Sequence, residues 1–314
     1  MSAGWVAATV RARALLERRI GSAATGNLAA APTFHAATVT LAGTAYRRFL
    51  PEEPNAAQAE RAVDEAVLWN LRVLAGWLPR SGAAAVGVLV ADYEIRNIAD
   101  RLRALAGAPV PAPYRLGSLS TAWREAAAAD SVGGLRRALG ASAWGDPGVD
   151  DAAELVCDLR LRAAQRLADL HEACRPLGVA ACALGYARQR FLIGRRLAPK
   201  SRKRARTLLG ERAAGAESWQ EFAAHVPKAT AGWVLEGIEE PRQLWRAEER
   251  WWSRAEQDAG ALARASRFDL ACPLGCALLL LVDARAVRGA VNRAARGADG
   301  GGGQQPTGDD HGAS

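Results

Sequence analysis

Apolar residues recur at steps of three and four along residues 86–105 of the chain. Ile95, Ile98, Leu102 and Leu105 share one face of an α-helix drawn through this stretch. The charged and amide side chains lie off that stripe, and they are Glu94, Arg96, Asn97, Asp100, Arg101 and Arg103. The pattern predicts an amphipathic helix that buries its apolar face.

A similar helix is predicted twice more, within residues 183–197 and 278–297. In all three places, a small or apolar lead-in precedes a helix that is rich in arginine. Tyr93 and Tyr186 occupy comparable positions, 93 residues apart. We name these three stretches the repeat helices and predict that they are copies of one element.

The elements that precede the repeat helices recur in the same order. Residues 41–46, with the sequence LAGTAY, match residues 139–144, LGASAW, small for small and aromatic for aromatic, 98 positions apart. Residues 229–233 form a looser third copy. Each of these turns is followed by a long charged helix and then by a turn marked by proline or glycine. Several elements recurring in a fixed order indicate an internal repeat.

The long predicted helices cover residues 56–78, 151–174 and 241–263. The first and last of them carry tryptophans, which we expect to fill gaps between helices rather than to stack on bases. These residues are Trp69, Trp77, Trp245, Trp251 and Trp252.

The repeat predicts three helical units of somewhat under 100 residues each. The first boundary falls at residues 106–117, whose prolines are incompatible with a regular helix. The second falls at the basic run 199–206. We expect the units to cover residues 1–110, 111–200 and 201–297, and a disordered glycine-rich tail to cover residues 298–314.

Composition favours an all-α fold. Half of the 314 residues are hydrophobic, so the chain can bury a substantial core, and runs of alternating β-branched residues are nearly absent. The longest apolar run, residues 277–282, is far shorter than the roughly 20 residues of a membrane-spanning helix. Arginines interrupt any apolar segment near the N-terminus, so we expect no signal peptide.

Positive charge is concentrated in one stretch. The chain has 41 basic and 33 acidic residues, giving a net charge of +8, and residues 186–206 contain nine basic side chains and no acid. We name residues 188–206 the basic segment. It can be a solvated face, a nucleic-acid footprint or a patch for an acidic protein. The candidate partner-contact residues are Arg188, Arg190, Arg195, Arg196, Lys200, Arg202, Lys203, Arg204 and Arg206.

No motif for catalysis or for a cofactor is found. The chain lacks both glycine-rich phosphate-loop patterns, and its five cysteines are odd in number, as expected in a reducing compartment. His171, Cys174 and Cys182 suggest a zinc site, as do Cys272 and Cys276 around a Pro-Leu-Gly turn. Their spacings do not match paired zinc ligands, and unpaired cysteines are commonly small buried residues. We therefore expect a non-enzyme without metal or cofactor.

Several segments together resemble a known family. In chain order they are VRARALLERRIG, LAGTAY, ADYEIRNIADRLRAL, LGSLSTAW, ALGASAWGDP and CPLGCALLLLVDARAVRGAVNRAARG. They are similar to the C/d family of the V/A-type rotary ATPases, whose members are called C in bacteria and archaea and d in eukaryotes. The resemblance extends to about Gly297, and its specificity lies in the order of the segments.

The resemblance implies three related helical bundles arranged as a funnel with approximate threefold symmetry. Members of the family are non-catalytic central-stalk subunits, present in a single copy, that cap the membrane proteolipid ring and receive the central shaft. The resemblance therefore implies torque transmission at the cytoplasmic side of a membrane complex. The alternative is a helical nucleic-acid-binding protein that uses the basic segment.

The family pattern of an acid and an asparagine in the repeat helix is matched in the first copy only. The residues we assign to this structural helix are Asp92, Glu94, Ile95, Asn97, Ile98 and Leu102. The second copy has Ala187, Gln189 and Arg190 instead, and the third has Gly289. The chain thus resembles a divergent member of the family.

Overall fold

A computed structural model of the chain describes residues 3–300, and every regular element in that range is a helix. The α-helices are α1 Ala3–Leu16, α2 Gly21–Ala29, α3 Phe34–Ala42, α4 Ala56–Trp77, α5 Arg80–Leu89, α6 Ala91–Leu105, α7 Trp123–Ala127, α8 Val132–Gly140, α9 Ala152–Leu170, α10 Arg175–Ala187, α11 Pro199–Leu209, α12 Glu211–Gly215, α13 Trp219–His225, α14 Trp233–Leu235, α15 Leu244–Ala263 and α16 Ala271–Gly300. The all-α prediction is confirmed.

Short helical turns of other types connect these helices. The 3-10 turns are Ala45–Phe49, Gly117–Leu119, Glu172–Cys174 and Pro241–Gln243, and the π-helical turns are Arg188–Leu192 and Lys228–Gly232. None of the described helices combines the length and the apolar composition that crossing a membrane requires.

The N-terminal region differs from the prediction. The sequence suggests one helix within residues 26–46, but α2 and α3 divide this region. Pro32 lies between the two helices. The Thr33 side chain caps the N-terminus of α3 by accepting a 3.1 Å hydrogen bond from the backbone N–H of Ala36. At the other end of the chain, α16 continues to Gly300, so the predicted tail begins as helix, and residues 301–314 lie outside the described residues.

The chain divides into two compact units. One combines the described part of Met1–Arg13 with Leu71–Leu279, and the other combines Ala14–Asn70 with the described part of Leu280–Ser314. The divisions fall inside α1, α4 and α16. These units are defined by compactness and not by sequence repetition, so the three-unit division stays a prediction.

Three of the four residues of the predicted apolar stripe of α6 are buried, and Leu105 at the end of the helix is partly exposed. Ile95, Ile98 and Leu102 are at most 4% exposed and lie in a core cluster with residues from α7, α8 and α9. Trp144 and Leu159, both nearly inaccessible to solvent, complete the centre of this cluster. Burial of this stripe positions the polar face of α6, which carries Glu94 and Asn97.

The turn that recurs in the sequence recurs in atomic detail. The hydroxyls of Thr44 and Ser142 donate to the carbonyls of Leu41 and Leu139 at 2.7 and 2.8 Å. The same hydroxyls accept from the next-but-one backbone N–H at 3.2 and 3.1 Å. The preceding helices, α3 and α8, have equal lengths and begin 98 residues apart. The looser third copy differs, because it lies in the π-helical turn Lys228–Gly232.

Two glycines at equivalent places allow close helix packing. A Cβ atom on Gly178 in α10 would lie 2.3 Å from the backbone nitrogen of Ala168 in α9. On Gly275 in α16 it would lie 2.4 Å from the backbone nitrogen of Ala263 in α15. Both glycines follow a Pro-Leu pair. The second and third predicted units therefore share the same close contact between the long helix and the helix that follows it, α9 with α10 and α15 with α16.

The prediction for the tryptophans is wrong at two positions. Trp77 and Trp245 are 53% and 54% exposed, so they do not fill gaps in the described structure. Trp251 does lie between helices, where its indole N–H donates to the carbonyl of Leu177 at 2.8 Å. Helical periodicity places a residue on a face, but these two residues lie close to helix ends, where each ring meets an arginine side chain, Arg11 or Arg246, and stays half exposed.

Candidate partner-binding surface

A buried glutamate on α6 binds the start of a neighbouring helix. Glu94, 2% exposed, accepts hydrogen bonds of 2.6 and 2.7 Å from the backbone N–H groups of Ala122 and Trp123. It also accepts from Thr121 at 2.9 Å. These groups begin α7, and the first N–H groups of a helix have no partner within the helix. The carboxylate therefore supplies the missing acceptors and fixes α7 against α6.

Asn97 holds the proline-rich connection that follows α6. Its amide nitrogen donates to the carbonyl of Tyr114 at 3.0 Å, and its amide oxygen accepts from the N–H of Tyr114 at 2.7 Å. The rings of Tyr93 and Tyr114 pack edge to face, with centroids 5.0 Å apart. Glu94 and Asn97 lie off the apolar stripe, but they are buried because the chain supplies complementary polar groups.

Asp283 has a comparable role in α16. It is 3% exposed and accepts from the backbone N–H groups of Ile20 and Gly21 at 3.2 and 3.0 Å, where α2 begins. No sequence motif singles out this residue. The available signal is that a lone acid directly follows five apolar residues, 278–282, in a helix that is otherwise apolar there.

The basic segment consists of three pieces: the π-helical turn Arg188–Leu192, a connection, and helix α11. Gly194 in the connection has φ +77°, a conformation that favours glycine. Pro199 occupies the first turn of α11, where a proline is well tolerated. The unit boundary expected at residues 199–206 therefore falls within a helix that buries Ala205 and Leu208.

Five of the nine predicted contact residues form ion pairs within the chain. The pairs are Arg188–Glu248, Arg195–Asp151 at 3.5 Å, Lys200–Asp146 at 3.3 Å, Arg204–Asp158 at 3.7 Å and Arg206–Glu211 at 3.2 Å. The basic segment has no acid of its own, and the tertiary structure brings these carboxylates to it from other helices and loops. Most of the pairs are exposed and contribute little to stability.

One of these carboxylates is buried. Asp158 in α9 is fully buried and accepts a 3.0 Å hydrogen bond from the hydroxyl of Ser201 in α11. It also accepts from the Nε of Arg162, whose guanidinium donates to the carbonyls of Trp144 and Asp146. This network attaches α11 to α9, so part of the basic segment is structural.

Asp146, in the loop that precedes α9, is stabilised in its ionised form. The backbone N–H of Gly148 holds the pKa of Asp146 below its ordinary value, and the side chains of Arg136 and Lys200 act in the same direction. Asp146 therefore stays ionised and available to Lys200 at neutral pH.

Four predicted contact residues have no carboxylate partner within the described chain: Arg190, Arg196, Arg202 and Lys203. Lys203 is exposed on α11. The three arginines, together with Arg206, line a cavity of about 280 Å³, which we name the basic cavity. Its remaining wall is formed by Tyr186, Leu197 and residues 214–217. The sequence does not show that these four arginines meet at one cavity, because they are spread over the 17 positions from 190 to 206.

An aromatic cluster supports the basic cavity. The hydroxyl of Tyr186 donates to the carbonyl of Ala214 at 2.7 Å, and its ring stacks on Phe222 with centroids 5.2 Å apart. Burial raises the pKa of Tyr186, and three guanidiniums of the cavity oppose that shift. Phe191 packs at 5.3 Å from Phe222 and lies under the guanidinium of Arg190. This wall is therefore held by packing before any ligand binds.

The residues considered for a zinc site are used otherwise. His171 accepts a 3.1 Å hydrogen bond from the N–H of Ala173 through Nδ1 and so caps a 3-10 turn. Burial raises the pKa values of Cys174 and Cys182 to about 11 and about 12. Among the described residues, no three His, Cys, Asp or Glu side chains are grouped as metal ligands would be.

No protein-family model matches this chain, and a comparison with curated proteins gives no match.

Proposed function

We propose that this protein is the non-catalytic central-stalk coupling subunit of a V/A-type rotary ATPase. In this role it caps the membrane proteolipid ring and receives the central shaft, in one copy per complex. It transmits torque between ion translocation and ATP synthesis or hydrolysis. Its place is at the cytoplasmic side of the membrane, held there by the complex. Three related helical bundles with approximate threefold symmetry form the proposed funnel.

The observation that carries the proposal is the repeated turn after α3 and α8. Residues 98 positions apart make the same pair of hydroxyl hydrogen bonds, and they bury an aromatic residue, Tyr46 or Trp144, at the same place. Such agreement is expected of an internal repeat, and the ordered segments of the sequence resemble this family and its repeated bundles.

The acids of the repeat helices give further support. Glu94 in the first predicted unit binds the start of α7 in the second. Asp283 in the third predicted unit binds the start of α2 in the first. The second contact joins the end of the repeat to its beginning, as a closed arrangement of three units would require.

The charge distribution suits contact with a ring. One copy on a ring of many identical subunits meets a symmetry mismatch, so diffuse charge should contribute more than individually matched hydrogen bonds. Lys203 is exposed on α11 and has no carboxylate partner within the described chain. We propose that the outer face of α11 contacts an acidic surface of the complex.

Co-expression with the shaft and proteolipid subunits of the same operon or organism tests the proposal. After extraction in mild detergent, we expect a complex that contains one copy of this chain and survives gel filtration, since obligate interfaces bury about 2,000 Å² or more. Lys203→Glu should weaken capture. Arg115→Glu, which changes another exposed cation, serves as the matched control. A folded chain that captures neither partner would refute the proposal.

Nucleic-acid binding through the basic segment is less well supported, because five of its nine cations already pair with carboxylates of the chain. A salt titration tests it. Six or more phosphate contacts would make the affinity fall by several decades over the physiological salt range. No binding of DNA or RNA at low salt would exclude this alternative.

A further inference from the structure

The basic cavity concentrates positive charge that the described chain does not neutralise. Four arginines line it, and Glu217 is the one acidic residue among its lining residues. Arg206 also pairs with Glu211 at 3.2 Å. Arg190 and Arg202 have no carboxylate partner in the described chain. Like charges in a concave site repel one another and raise the local positive potential, which an anion would relieve.

The arginines come from three different elements. Arg190 lies in the π-helical turn Arg188–Leu192, Arg196 lies in the connection after Gly194, and Arg202 lies in α11. A 2.9 Å backbone hydrogen bond from the N–H of Ile193 to the carbonyl of Arg188 closes the turn, and one of 3.0 Å from Arg195 to Gln189 joins the connection to it. π-helical turns are frequent at functional sites. The chain thus takes an uncommon local path that brings the three side chains to one cavity.

The guanidiniums are held before a ligand arrives. Arg202 donates to the carbonyl of Leu197 at 3.4 Å, and Arg190 lies 5.8 Å above the Phe191 ring. Preorganised donors lose less entropy on binding. Each guanidinium is a planar fork that matches two oxygens of a phosphate group.

Size limits the ligand. The cavity volume of about 280 Å³ lies just below the range of roughly 300–1,000 Å³ that is typical of pockets for larger organic ligands. Two linked phosphate groups would bring enough oxygens to engage several arginines at once. The cavity wall offers the Tyr186 ring and small residues such as Ala214 beside the arginines.

We propose that the basic cavity is a binding site for a compact polyphosphate anion of the diphosphate class. The four arginines bind its oxygens, and the aromatic wall fixes their positions. The ligand can be a free diphosphate or the diphosphate headgroup of a lipid, since both present the same chemistry. The site does not depend on the rotary-ATPase role.

Isothermal titration of the full chain with pyrophosphate at low salt tests the proposal. We expect saturable one-to-one binding and a rise in melting temperature with ligand concentration. Arg202→Gln should weaken the affinity by at least about tenfold, the loss expected for charge-assisted hydrogen bonds. Arg212→Gln, which removes an exposed cation on the adjacent helix α12 outside the cavity lining, is the matched control and should bind like wild type. Both variants should melt within a few degrees of wild type without ligand.

Two further binding experiments identify the class of ligand. Citrate, which carries similar charge on carboxylates, should bind more weakly than pyrophosphate. Phosphatidylcholine vesicles with and without diacylglycerol diphosphate distinguish the two sources. Vesicle retention that Arg202→Gln abolishes indicates a lipid headgroup, and binding of pyrophosphate without such retention indicates a free anion. Absence of saturable pyrophosphate binding, equal affinity in Arg202→Gln and Arg212→Gln, or equal binding of citrate would each overturn the proposal.

Discussion

The phenol of Tyr46 donates a 2.7 Å hydrogen bond to the carboxylate of Asp283, which lies 237 positions further along the chain. Both residues are at most 4% exposed. Tyr46 closes the first copy of the repeated turn, and Asp283 also accepts from the first N–H groups of α2. One carboxylate therefore joins three separate parts of the compact unit that contains them.

We predict that Asp283→Ala lowers the free energy of unfolding by about 3 kcal/mol or more, because several buried donors lose their acceptor at once. Tyr46→Phe removes a single hydrogen bond and should cost about 1 kcal/mol. Urea denaturation followed by tryptophan fluorescence measures both. Equal costs for the two variants would show that the backbone donors of α2 do not depend on Asp283.

Ile98→Asp should destabilise the protein by about 3 kcal/mol or more. Ile98 is fully buried in the cluster around α6, and the new carboxylate would have no partner there. Arg103→Ala, on the same helix but with a side chain that is 57% exposed, should change stability by no more than about 0.5 kcal/mol. An unchanged melting temperature for Ile98→Asp would contradict the burial of the apolar stripe.

Gly178→Ala should destabilise the contact between α9 and α10 by about 1–3 kcal/mol. The added Cβ would lie 2.3 Å from a backbone atom of Ala168, so the helices must move apart. Gly185→Ala in the same helix is the control. Its Cβ would meet only Leu161, at 3.7 Å, and alanine favours the helix by about 0.5–1 kcal/mol. In thermal denaturation, Gly178→Ala should lower the melting temperature and Gly185→Ala should raise it. If both variants raise the melting temperature, α9 and α10 are not in close contact at Gly178.

The buried thiol of Cys182 should make stability fall at high pH. Burial raises its pKa from 9.0 to about 12, so the folded protein retains a proton that the unfolded chain loses. This contribution is fully present below pH 9 and is lost progressively as the pH approaches 12. Urea midpoints at pH 8 and pH 10.5, compared between wild type and Cys182→Ala, measure it. The variant should show the smaller decrease, and an equal decrease would exclude the thiol as a cause.

Native Cys182 should also resist alkylation, since the reactive species is the thiolate. Iodoacetamide at pH 8 followed by peptide mass analysis should label Cys182 slowly in native protein and rapidly in guanidinium chloride. Partly buried Cys157, whose pKa is raised to about 11, provides the internal comparison and should react sooner. Rapid native labelling of Cys182 would show that the core around α10 opens readily.

Local patterns in the sequence determined much of the fold. The steps of three and four in α6 predicted its buried face. The prolines of residues 106–117 predicted a break in regular helix, and the structure has no helix over residues 108–116. The repeated turn was visible because serine and threonine bind their own backbone within a few residues. Features of this kind depend on neighbours in the chain, and those neighbours can be read directly from the sequence.

The tertiary structure alone decided which polar groups are buried and which charges are paired. Glu94 and Asn97 looked like members of a solvated face, yet their partners arrive from up to 29 positions away. The basic segment looked uniformly charged, but carboxylates such as Asp158 and Glu248 divide it into paired and unpaired residues. The free energy of a charge depends on what surrounds it in space. Those surroundings are set by how distant helices pack, which no periodic pattern within one helix encodes.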